Sequence, residues 1–79
     1  MYTVYILTCA DGKNYTGCTD NIEERLDRHR GGHVPATAKR LPVELDFYFA
    51  IKDKYKAFEF EKYLKSGSGR AFIKKHFRN

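Results

Sequence analysis

A mixed α/β domain of the α+β kind, with elements in the order β-β-α-β-α-α, is predicted by three features of the chain. Residues 2–8, YTVYILT, form a β-branched and aromatic run too short for a helix. Residues 10–14, ADGKN, have hairpin chemistry, and residues 55–65 carry apolar groups at helical spacing. With 79 residues, 42% of them hydrophobic and 32% charged, the chain reads as one domain over residues 1–79 with a single modest core. This excludes a two-domain enzyme, and six Phe with six Tyr supply enough bulk for folding without a partner.

Each element follows from local chemistry. The run at residues 2–8 suits a central strand covered on both faces, and residues 15–18, YTGC, return beside it after the Asp11-Gly12 turn. Asp20 and Glu23 read as an N-cap with its reciprocal partner, opening a helix over residues 21–30 that stops at Gly31-Gly32. Residues 31–42, with two prolines and Lys39-Arg40, read as a basic loop long enough to touch a ligand. Residues 43–51 form a third strand that alternates and then turns continuously apolar, entering the core. Ala57, Phe60, Glu61 and Leu64 share one face of the second helix. The stretch SGSGR interrupts it, and residues 71–77 form a third helix with Phe72, Ile73 and Phe77 inward.

The net charge of +5 is unevenly spread. Residues 1–51 hold six Lys and Arg against seven Asp and Glu, while residues 52–79 hold nine against three. Such asymmetry suits a polyanion-facing surface, with a solvated basic helix face as the plain alternative. Lys39, Arg40, Lys65, Arg70, Lys74 and Lys75 are the candidate contacts to a DNA backbone. No apolar run reaches the roughly 18 to 20 residues of a membrane span, and no basic segment precedes the first apolar stretch, so no membrane partner is expected. Cys9 and Cys18 are too few for a disulfide framework, which points to a reducing cytoplasm. Their nine-residue separation is wrong for a zinc finger with His29 and His33.

Arg25 and His29 lie one turn apart beside the stripe begun by Ile22 and Leu26, so both are expected at its border, projecting into a cleft. Tyr5 stands in the central strand, Tyr15 in its hairpin partner, and Glu61 on the core-facing stripe of the second helix, where a carboxylate needs a cation. These types fit phosphodiester hydrolysis: a carboxylate for a divalent metal, an arginine for phosphorane charge, and a phenol or imidazole to move a proton. The plain alternative is a structural network in which Glu61 pairs with Arg25 and nothing reacts.

The ordered series Thr3-Val4-Tyr5, Tyr15-Thr16-Gly17, Arg25 and His29, Pro42-Val43-Glu44-Leu45, and EKYLKSGSGR at residues 61–70 resembles the GIY-YIG nuclease family. The likeness covers almost the whole chain and is closest in kind to small stand-alone members related to the catalytic domain of the repair excinuclease C subunit. The resemblance implies a three-stranded antiparallel sheet flanked by helices and a metal-dependent cut of DNA. By the same resemblance Tyr5 and Tyr15 activate or position the attacking water, Arg25 stabilises the phosphate, and His29 assists proton transfer. Glu61 is then the metal ligand for Mg2+ or Mn2+, with waters and phosphate oxygens completing the shell. Three positions depart from the pattern: Thr3 replaces a glycine, Thr16 an isoleucine, and Cys18 stands where many family nucleases have lysine.

The expected function is a metal-dependent endonuclease-like domain acting on DNA, in repair or recombination. A non-catalytic nucleic-acid-binding module on the same scaffold is the principal rival, and an adaptor docking onto another repair protein is a third reading. Nothing in the pattern separates a monomer from a weak dimer.

Overall fold

The computed structural model describes residues 1–77. Its elements are β1 (Tyr2–Thr8), β2 (Asn14–Thr19), α1 (Ile22–Arg30), β3 (Glu44–Ile51), α2 (Lys54–Lys65) and α3 (Gly67–Phe77). β1 lies in the middle of a sheet of order β2-β1-β3 and pairs antiparallel with both neighbours. The antiparallel α+β architecture implied by the sequence is therefore the one observed.

Alternation along β1 divides the apolar residues between two cores. Val4 and Ile6 face Ala57 and Leu64 of α2 and Ile73 of α3, whereas Tyr5 and Leu7 face Leu26 of α1 together with Cys9 and Val43. A strand covered on both faces cannot alternate polar with apolar, which is why residues 2–8 read as an unbroken run. The hairpin turn places Gly12 at φ +79°, where a side chain would be strained. Asp11 accepts from the Lys13 amide and pairs with Arg40 at 2.9 Å, tying the loop at residues 31–42 to the turn.

Four local expectations are corrected. The cap of α1 is Asn21, whose side chain accepts from the Glu24 amide at 3.2 Å; the helix starts one residue later than Asp20 would require. β3 is an edge strand that alternates to its end, with Tyr48 54% exposed, because only one of its faces meets a helix layer at each position. α3 starts at Gly67 rather than Ala71. Ser66 ends α2 and caps α3: its hydroxyl accepts from the Gly69 amide at 3.2 Å and its carbonyl from Arg70 at 2.9 Å, which offsets the poor helix propensity of SGSG. Finally, Phe77 is half-exposed rather than inward, stacking on Phe47 at 4.9 Å between ring centroids.

The sharp corner between α2 and α3 depends on Gly69. A Cβ there would strike the Tyr63 carbonyl and would lie 2.5 Å from Leu64 Cα, all backbone that cannot swing aside. Gly69→Ala is expected to destabilise the protein by roughly 1–3 kcal/mol, despite alanine's better helix propensity, as read from urea denaturation of the two proteins.

Candidate active site

The middle of β1 carries a polar group into the core. Tyr5 is fully buried, and its hydroxyl meets Nε2 of His29, also fully buried, at 2.8 Å. His29 occupies the inward face of α1 with Leu26, so it lies within the core and not at the border of the stripe. Its Nδ1 meets the Thr37 hydroxyl at 2.7 Å, and Thr37 is buried in the turn at residues 33–40. The tyrosine ring reaches this position only because its register partner on β2 is Gly17. A Cβ on Gly17 would lie 2.9 Å from Tyr5 Cε1 and nearer still to Cζ and the hydroxyl.

Tyr15, two residues along β2, is half-buried and completes an aromatic triangle. Its ring centroid lies 5.1 Å from that of His29 and 6.3 Å from that of Tyr5. Arg25 is half-buried on α1, and its charge, like that of Glu61, reaches Tyr5 and Cys18. Tyr5, Tyr15, Arg25, His29 and Glu61 thus gather around the edge strand β2, with α1 on one side and α2 on the other. Glu61 is less buried than its place on the stripe suggests, and its partner is Lys65 at 3.1 Å rather than Arg25. An exposed i,i+4 pair contributes only about 0.3–0.5 kcal/mol, so the carboxylate is easily released to another cation.

Burial dominates the protonation of the inner pair. It pushes the Tyr5 phenol up to about 12, helped by Tyr15 and opposed by Arg25. It also holds His29 below its ordinary value of 6.5, and the charges of Arg25 and Arg28 act in the same direction. At neutral pH, therefore, Tyr5 keeps its proton and His29 is uncharged. Burial likewise raises the Cys18 thiol, so the residue standing in a lysine's place brings no charge of its own.

Two depressions lie along β2 on either side of Gly17. The larger, about 560 Å³, has Tyr15 and Thr16 on its wall, Ile6, Leu64 and Ile73 beneath, and a cationic rim of Lys13, Arg40, Lys65, Arg70 and Lys74. The smaller, about 260 Å³, contains Cys18, Arg25 and Lys54. Of the six cations singled out from the sequence, Arg40, Lys65, Arg70 and Lys74 share the larger groove, while Lys39 and Lys75 are exposed outside it. Lys13 went unnoticed because a lysine in a hairpin turn carries no signal of its own. Thr37 was also missed, since a threonine in a loop of small residues gives no hint of burial.

As for a metal, the described residues hold no group of three or more His, Cys, Asp or Glu able to enclose one. Glu61 nevertheless offers hard oxygen donors at a partly exposed place, and magnesium is commonly held by one or two carboxylates with waters and substrate phosphates. The residue present fits that mode of binding.

The chain and its fold resemble those of known proteins. Residues 1–76 match the family model of the GIY-YIG catalytic domain. A UPF0213 protein of Lacticaseibacillus paracasei is 42% identical over 65 residues, covering 81% of this chain and 73% of that protein. A second, from Bacillus licheniformis, is 42% identical over 62 residues, which are 77% of this chain and 64% of the relative. The solution structure of a UPF0213 protein from Bacillus halodurans matches with a TM-score of 0.60 at 32% identity, covering 95% of this chain and 84% of that one.

The buried histidine gives a pH signature. Because the folded value lies below 6.5, the unfolded chain takes up this proton first as pH falls. The stabilisation is whole above pH 6.5 and declines below it, down to the folded value. Urea denaturation from pH 7.5 to 5.5 is expected to show falling stability, with a smaller fall in His29→Gln.

Proposed function

The chain belongs to the GIY-YIG catalytic-domain family, and on that premise we propose that residues 1–79 form a metal-dependent endonuclease domain that hydrolyses DNA phosphodiester bonds in the cytoplasm. The observation that carries this reading is the position of Tyr15 and Arg25. They stand either side of Gly17 on the edge strand, each opening into a depression with cations on its wall. A nucleic-acid strand running along β2 would be held by its phosphates in the larger groove and present the next phosphate between Tyr15 and Arg25.

Burial divides the roles. Tyr15, half-buried, faces the substrate and orients the attacking water, while Arg25 donates to the non-bridging oxygens as charge accumulates on phosphorus. Tyr5 and His29, both sealed from solvent, act behind them as positioning residues, and a phenol pushed up to about 12 is unsuited to serve as a base unaided. Water adds across the P–O bond, leaving a phosphate on one end and a hydroxyl on the other. Glu61 would hold Mg2+ or Mn2+, which when bound supplies charge neutralisation at the phosphate. The weak Lys65 pair does not compete strongly with that use. Repair or recombination of DNA is the setting most in keeping with such chemistry.

The test is a gel assay on labelled single-stranded, duplex, nicked and branched DNA with Mg2+, Mn2+ or EDTA. Cleavage by the wild-type protein that requires metal, and falls at least a hundredfold in Glu61→Ala while its thermal unfolding is unchanged, is the expected result. Shifted but uncut DNA in every metal, equally in Glu61→Ala, would leave a nucleic-acid-binding module instead. The groove makes a separate prediction. Arg70→Glu should weaken binding in EDTA and lower the slope of log affinity against log salt by about 1, measured by fluorescence anisotropy.

A further inference from the structure

The loop at residues 31–42 does something other than display basic charge. It delivers the Thr37 hydroxyl to the back of His29, in a position closed to solvent. The Thr37 amide donates to Val34 O at 3.0 Å and Arg40 N donates to Thr37 O at 2.9 Å, so the residue is held by its own backbone turn. A buried hydroxyl on a buried imidazole decides which ring nitrogen carries the proton.

The direction follows from the Thr37 end of these contacts. The Thr37 hydroxyl donates to the Val34 carbonyl, 3.5 Å off, and so turns a lone pair to Nδ1 of His29, 2.7 Å away. Nδ1 then carries the proton of the neutral ring, and Nε2 is bare. The Tyr5 hydroxyl, 2.8 Å from Nε2, donates to it. In the other tautomer Nε2–H would donate to the phenol oxygen, and the buried Tyr5 proton would lose its acceptor.

We propose that Thr37 is a positioning residue whose hydroxyl fixes the Nδ1–H tautomer of His29, so that Tyr5 donates to Nε2 and keeps the lone pairs of its oxygen available on the side of the substrate phosphate. The tautomer is a statement about the folded chain alone, whereas its effect on cutting rests on the nuclease reading above.

The experiment is 15N–1H correlation NMR of the His29 ring in the wild-type protein, Thr37→Val and Thr37→Ser, at a pH where the ring is neutral. Each sample is also assayed for metal-dependent cleavage. The wild type and Thr37→Ser are expected to show Nδ1 protonated and Nε2 bare. Thr37→Val, nearly isosteric but without the hydroxyl, should populate the Nε2–H form and cut DNA roughly ten- to a hundredfold more slowly, as for a small misplacement of the groups that hold the substrate. An Nε2–H ring in the wild type overturns the proposal, as does a Thr37→Val ring left wholly in the Nδ1–H form. Should Thr37→Val not fold, the wild-type and Thr37→Ser spectra decide the matter. The expected tautomers without any cleavage would sink the nuclease reading and leave the assignment of Thr37 intact.

Discussion

A central strand buried on both faces leaves no water in its middle, yet this one carries a phenol there. An unpaired buried hydroxyl costs about 1–3 kcal/mol, so Tyr5 needs a partner from whatever packs above it. α1 supplies His29, whose second nitrogen then needs a partner of its own, and the loop after α1 supplies Thr37. On the opposite side the ring requires β2 to have no side chain at the paired position, which is the role of Gly17. One polar group in the core thus constrains a helix, a loop and the neighbouring strand.

The same burial divides the site into an inner and an outer shell of different chemistry. Inside, Tyr5 holds its proton firmly and His29 stays neutral, properties that suit fixed hydrogen bonds and not proton exchange with solvent. Outside, Tyr15 and Arg25 are partly exposed and reach the depressions along β2, while Glu61, also partly exposed, is held only by a pair with Lys65 of a kind that exchanges readily. Rigid groups behind and accessible groups in front are the arrangement that preorganised electrostatic stabilisation calls for.

Much of this was visible in the residue string. β1 showed itself by an apolar run without alternation, the hairpin by Asp11-Gly12, and the five candidate site residues by their order and spacing along almost the whole chain. Where the reading missed, a long-range or competing local term intervened. SGSGR looked like a helix breaker because glycine is a poor helix former. The Ser66 cap and the close approach at Gly69 outweigh that local preference, and neither is visible without knowing where α2 runs. The plain alternative of a Glu61–Arg25 pair in a structural network is not what forms, because a lysine one turn along its own helix reaches the carboxylate first.

Local chemistry was enough to establish the elements and the first hairpin, and the resemblance carried by the ordered motifs implied the antiparallel sheet and the family, because hydrophobic period, turn residues and motif spacing are local properties of a chain. Burial was not among them. That Tyr5 and His29 lie sealed inside while Tyr15 and Arg25 face the grooves depends on which side of the sheet each neighbouring element covers. The partnership of His29 with Thr37 joins a helix to an irregular loop, and an irregular loop has no periodicity from which the direction of a side chain can be inferred.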